Sequence, residues 1–232
     1  MKKIILSLVA MIASTLFVNA QTYKIGDIME LGGKKGIVVK VDESGQHGLI
    51  MSLDVIYGSW RDKGLFKKTS KPIGAEDPND GAANTKIIFK YMEENPDSAK
   101  NFEIFTALKE YYPEGWYIPA SNELLDIASA IGGGNLNTTT KTIDEFDKKI
   151  TDADGVSLFT KLGNFRQIYS STEGVNNGVY NLYLKRKMFS KKCSFETYEC
   201  FKDLGDRHEP EPLGKKVRKF EKMFGSRAVH KF

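Results

Sequence analysis

Apolar residues recur along this chain with two different periods. Residues 35–41, Lys-Gly-Ile-Val-Val-Lys-Val, are nearly continuous and β-branched, which predicts a strand. Asp42-Glu43-Ser44-Gly45-Gln46 is turn chemistry, and residues 48–53 supply the return strand, so 36–52 predicts a hairpin. His47 beside that turn reads as a structural residue. Further on, the apolar spacing changes to three and four. It predicts helices over 85–94, capped by Asn84, over 98–111, capped by Asp97 or Ser98, and over 121–131, opened by Ser121. Phe102, Phe105, Leu108 and Tyr112 form the apolar face of the second, and Pro113 stops it. Leu124, Ile127, Ala128 and Ile131 form that of the third, which Gly132-Gly133-Gly134 terminates. Thr142-x-x-Glu145 has the form of a capping box, with Phe146 and Ile150 on the apolar side of the helix it opens. Strand character returns near 167–171, 179–184 and 226–230.

These elements converge on Gly115-Trp116-Tyr117-Ile118-Pro119-Ala120-Ser121-Asn122-Glu123-Leu124. An extended aromatic segment runs into a helix there, and Glu123 lies near the positive end of the helix dipole. Trp116 is expected to be buried between sheet and helix. The order of elements implies an α+β fold, antiparallel sheet with flanking helices.

Residues 1–20 have the form of a secretory signal: Lys2 and Lys3, an apolar stretch, and a compact Val18-Asn19-Ala20 before Gln21. The expected mature chain is 21–232, one domain, exported to the periplasm, the cell surface or the medium. No other stretch is long and apolar enough to span a membrane. Of 34 basic side chains, Lys2 and Lys3 leave with the signal; the remaining 32 against 30 acidic ones give +2. That balance argues against nucleic acid as a partner. A hydrophobic content of 41%, with 14 Phe and 10 Tyr, excludes a disordered chain.

Few residues suggest chemistry. Glu76-Asp77-Pro78-Asn79-Asp80-Gly81 and Asp152-x-Asp154-Gly155 are acidic turns without the ligand spacing of a calcium loop, so no metal is expected. The hydroxyls of Tyr169-Ser170-Ser171-Thr172-Glu173 lack an accompanying base, and no catalytic residue or cofactor is assigned. Cys193 and Cys200, an even count in an exported chain, are expected to form a local disulfide.

The motif order Gly-Trp-Tyr-Ile-Pro-x-x-x-Glu-Leu, Tyr169 to Glu173, and Arg227-Ala228-Val229 resembles the DUF1566 family. Gly45-Gln46-His47-Gly48-Leu49 and Asp80-Gly81-x-x-Asn84-Thr85 add to the likeness. That family is related to the C-terminal domain of a Legionella collagen-like adhesin and belongs to the C-type-lectin-like superfamily. The resemblance implies a C-type-lectin-like fold in which Trp116, Pro119, Glu123, Ser170, Ser171, Thr172, Glu173 and Arg227 are structural motif residues. It also implies a recognition or adhesion role, with a glycan or a surface protein as partner. The rival readings are an enzyme of the formylglycine-generating type, which shares the superfamily fold, and a structural subunit of a surface assembly. Residues 185–223 depart from the family pattern as a basic insertion. Lys185, Arg186, Lys191, Lys192, Lys215 and Arg218, interleaved with aromatics, are the candidate ligand-binding set, expected to converge on one face toward an anionic glycan.

Overall fold

The computed structural model of this chain describes residues 21–61, 71–161, 163–174, 178–186, 190–200 and 224–232. The leader, Lys215, Arg218 and most of the basic insertion lie outside the described residues. The chain is α+β with mainly antiparallel pairing.

Strand β1 (Ile28–Leu31) turns through Gly32 and Gly33, both at positive φ, into β2 (Lys34–Val41), a pairing the sequence reading did not anticipate. β2 returns as β3 (Gly48–Ser52), the expected hairpin, with a register shift between Val38 and Lys40. β10 (Val229–Lys231) completes a four-stranded sheet in the order β1-β2-β3-β10. The unbroken apolar run in β2 has a physical cause: the sheet is covered on both faces. Ile37, Val39, Leu49 and Met51 face one core, and Val38 and Ile50 face another.

A second sheet has the order β4-β9-β6-β7-β8-β5. Its strands are β4 (Ile56–Tyr57), β5 (Asn137–Thr139), β6 (Gln167–Glu173), β7 (Val179–Arg186), β8 (Lys192–Cys200) and β9 (Phe224–Ser226). β9 runs parallel to β6, so the sheet is not wholly antiparallel as expected. The final strand is also two strands, β9 and β10, which belong to different sheets. Arg227 and Ala228 make the crossing. β8 forms a regular hairpin with β7 where the sequence suggested the start of an irregular insertion.

Five helices cover the sheets among the described residues: α1 (Gly81–Glu94), α2 (Pro96–Ala99), α3 (Glu103–Tyr111), α4 (Ser121–Ile131) and α5 (Thr140–Asp152). α1 begins earlier than expected because Asp80, not Asn84, accepts from the Ala83 N–H at its first turn. The helix expected over 98–111 is broken into α2 and α3. α4 has the expected bounds, but Ala120 occupies the cap position and has no side-chain acceptor. Half of a capping box remains: Glu123 Oε2 accepts from the Ala120 N–H at 2.8 Å. At α5, Thr139 accepts from the Thr142 N–H at 3.3 Å, and Ile143, Phe146 and Ile150 are buried.

α4 and α5 bury Leu124, Ile127, Ile131, Ile143 and Ile150 in the first core, with Leu182 and Phe195 of the second sheet. α1 and α3 bury Ile88, Ile104, Phe105 and Leu108 in the other, around Trp60. Trp60 is fully buried and donates its indole N–H to the Ser170 carbonyl at 2.6 Å. Trp116 is buried as expected, but against different neighbours. Its ring meets Tyr112 at the end of α3 and His230 of β10, while Tyr117 is the aromatic in the α4 core. Adjacent residues of an extended segment point to opposite sides, so one of the two rings had to turn away from α4.

Candidate binding cleft

The residues of the family-like motifs come together in the interior. Ser170, Ser171, Thr172 and Glu173 of β6 are all buried. Ser170 Oγ accepts from the Thr172 N–H at 3.1 Å, and Ser171 Oγ donates to the Pro119 carbonyl at 3.3 Å. Thr172 Oγ1 donates to the Asp77 carbonyl at 3.1 Å and accepts from the Ser121 N–H at 3.0 Å. These hydroxyls are committed to backbone and closed to a substrate, which removes them as nucleophiles. Glu173 accepts from the Ile73 and Gly74 N–H groups and from buried Arg61. Arg227 is buried among backbone carbonyls.

Glu123 joins three segments. Beyond Ala120, it accepts from the Gly81 N–H at 3.2 Å and from the Tyr117 hydroxyl at 2.7 Å. Burial first, then the Glu123 carboxylate beside it, push the Tyr117 phenol far above its ordinary value. Burial likewise raises Tyr112. The folded protein therefore keeps protons that the unfolded chain releases above about pH 10. Their contribution to stability is complete below that pH and declines as pH rises beyond it. In an alkaline titration followed at the phenolate band, the buried tyrosines are expected to ionise only together with loss of the circular dichroism signal. Ionisation of all 10 tyrosines with that signal intact would contradict this.

The expected disulfide is not formed. Cys193 and Cys200 lie seven residues apart on the single strand β8, with Cys193 opposite Arg186 and Cys200 opposite Val179. At about 3.3 Å per residue their Cα atoms are ~23 Å apart, far beyond the ~7 Å a bridge can close. Cys193 is a free buried thiol whose pKa burial raises, the reverse of a reactive thiolate. The sequence reading treated the six intervening residues as a loop; they are extended backbone.

The basic set does not converge where it is described. Lys185 and Arg186 are neighbours on β7 and point to opposite faces. Lys185 pairs with Glu196 at 3.3 Å, whereas Arg186 donates to the Gly163 carbonyl at 3.1 Å and lies over the Phe159 ring. Lys191 and Lys192 are exposed at the start of β8.

What the fold does assemble is a cleft of about 590 Å³, within the range of small-ligand sites. Four separate stretches build its wall: the β2–β3 turn with Lys40, Asp42 and His47; Asn79 in the turn before α1; Asn122 and Asp126 on the first turns of α4; and Lys231 on β10. The turn is held by its own side chains. The Ser44 hydroxyl donates to Asp42 at 2.7 Å and, as the leading cause, holds the Asp42 carboxyl below its ordinary value. Lys40 Nζ meets Asp126 at 2.8 Å across the cleft, both side chains being partly exposed. Asn122 Nδ2 donates to Asn79 Oδ1 at 2.7 Å, which joins the start of α4 to the turn before α1. Lys231 lies over the Tyr117 ring at 5.7 Å.

Amides, carboxylates, ammonium groups and an imidazole thus line one concave surface. Such a lining can donate to and accept from a ligand that carries both functions on one carbon frame. Sequence reasoning missed it. Its lining comes from turn and helix-start residues with no common spacing, and the readings of His47 and Asn79 as turn residues did not connect them. No group of three or more metal-ligating side chains occurs among the described residues. No helix among them is long and apolar enough to cross a membrane. Comparison of the chain with protein-family models, curated proteins and solved structures returned no match.

Proposed function

We propose that this chain is an exported recognition module of the DUF1566 type, with a C-type-lectin-like fold, which binds a carbohydrate of a cell surface in the cleft beside α4. The observation that carries the reading is the cleft itself, with paired amides and carboxylates on one concave wall. A saccharide offers adjacent hydroxyls that each donate and accept, which suits Asn79, Asn122 and Asp126 better than a purely anionic or apolar ligand. The order of the Trp116, Ser170–Glu173 and Arg227 motifs supports the family and fold, and the leader-like 1–20 supports export.

The test is a glycan array probed with residues 21–232, followed by titration of any hit. Asn122→Ala removes an exposed bond partner in the cleft and is expected to weaken binding about tenfold, since a lost hydrogen bond to a ligand is worth roughly 1 kcal/mol or more. The melting temperature should change little. Equal binding by the variant, or no glycan bound by the wild type, would count against the proposal.

A further inference from the structure

The β7–β8 hairpin has one face turned toward α4 and α5, through Leu182, Leu184 and Phe195. Strand alternation places Asn181, Tyr183 and Lys185 on the other face, and the register sets Tyr198 opposite Asn181 and Glu196 opposite Tyr183. Tyr183 and Tyr198 are 40% and 37% exposed, although most large apolar side chains of these strands are buried. Their rings stand 5.9 Å apart, nearly perpendicular, so the surface shows the face of one ring beside the edge of the other.

Among the described residues, a neutral amide adjoins the pair. Gln167 Oε1 accepts from the Tyr198 hydroxyl at 2.8 Å and from Asn181 Nδ2 at 3.2 Å. This fixes the Tyr198 ring and commits the Gln167 oxygen, so that Gln167 faces a ligand as a donor. Asn181 is fully buried beneath the pair and supports Gln167 from below. Lys185 and Glu196 offset each other at 3.3 Å.

We infer that this face is a second carbohydrate-contact surface, a tyrosine platform that takes the apolar face of a neutral pyranose ring. A sugar ring presents C–H groups on one face and hydroxyls around its edge. The exposed Tyr183 and Tyr198 rings match the first, and the Gln167 amide beside Tyr198 the second. Two tyrosines are far too small a patch for a stable protein interface, which buries ~1,200 Å² or more. Lys185 and Glu196, paired beside the rings, offset each other's charge there. The inference rests on the reading of the protein as a carbohydrate-recognition module, but it does not depend on the cleft.

The experiment is affinity electrophoresis of residues 21–232 through soluble cellulose, xylan, laminarin and mannan, with heparin as the anionic comparison. At least one neutral polysaccharide is expected to retard the protein, and added salt should not reverse this, since no exposed ion pair with the ligand is formed. Tyr183→Ala and Tyr198→Ala should each weaken that retardation about tenfold, and Tyr198→Phe should keep most of it because the ring remains. If an alanine variant loses its cooperative melt, Tyr183→Leu and Tyr198→Leu serve instead, since they keep apolar bulk on the strand without a π face. Binding lost in Asn122→Ala but untouched by the tyrosine changes would overturn the platform and leave the cleft standing. The opposite pattern would leave the platform and remove the cleft. Retardation by heparin alone, or by none of the polysaccharides, would overturn the inference.

Discussion

Replacement of Arg227 by alanine is expected to destabilise the protein by about 4 kcal/mol, a large part of a total stability on the order of 5–15 kcal/mol. Arg227 lies where the chain leaves β9 for β10, between the two sheets. Its guanidinium is buried and donates to four carbonyls: Ser52 at 3.1 Å, Leu53 at 2.8 Å, Ser157 at 3.4 Å, and Val156. Burial pushes its pKa down to about 10, so it still carries its charge at neutral pH. The carbonyls come from the end of β3 and from the segment that follows α5, so the guanidinium ties the two together beside the backbone bond from the Val156 N–H to the Leu53 carbonyl. Alanine would leave the Ser52 and Val156 carbonyls without this donor, each at roughly 1–3 kcal/mol less whatever water recovers, while Leu53 keeps the Val156 N–H at 2.9 Å and Ser157 keeps Arg166 Nε at 3.2 Å. Arg227→Lys keeps the charge but not the planar fork, so an intermediate loss is expected. Urea unfolding checks both variants; a loss under about 1 kcal/mol in the alanine variant would show that the bonds are dispensable.

Glu173→Ala is expected to cost a similar ~3–5 kcal/mol, the range for breaking a buried ion pair from one side. Arg61 and Glu173 are paired with both side chains fully buried. Glu173 also accepts from the Ile73 and Gly74 N–H groups at 2.6 and 3.0 Å, so it anchors residues 73–74 to the end of β6. The single variant removes the carboxylate from a buried cation and two backbone donors. The double variant Arg61→Met, Glu173→Leu removes both charges, and a good part of the loss should return. A double variant less stable than Glu173→Ala would mean that the pair does more than neutralise its own burial. A melt of each protein at one pH is sufficient to decide.

The family resemblance implied that the motif residues are structural, and Trp116 was expected to be buried, but the burial of the others and their partners came from the fold. Nothing near Arg227 in the chain announces Ser52 or Val156, and nothing near Glu173 announces Arg61 and Ile73. Trp60, at the centre of one core, sits in a stretch without periodicity, so no local spacing marks it as a core residue. The cysteines show how spacing misleads. Six residues between two thiols suit a loop closure if the backbone turns, and rule it out if the backbone is a strand.

The chain by itself marked several main segments as helix or strand, but not β1, β8 or the break between α2 and α3. Period and capping act over three or four neighbours, so α4 and the β2–β3 hairpin could be placed from local residues alone. The apolar run of β2 marked it as a strand; that both of its faces are covered came from the packing. Only the tertiary structure decided what the polar residues do. The split of the last strand between two sheets, the face that Tyr183 shares with Tyr198, and the meeting of Lys40, Asn79, Asn122 and Lys231 in one cleft all depend on contacts between distant parts of the chain. The cause is energetic. Burial of the two cores sets how the elements stack, and exposed polar side chains contribute too little to choose their own neighbours. A site made of such side chains is a consequence of the packing, and it carries no pattern of its own in the sequence.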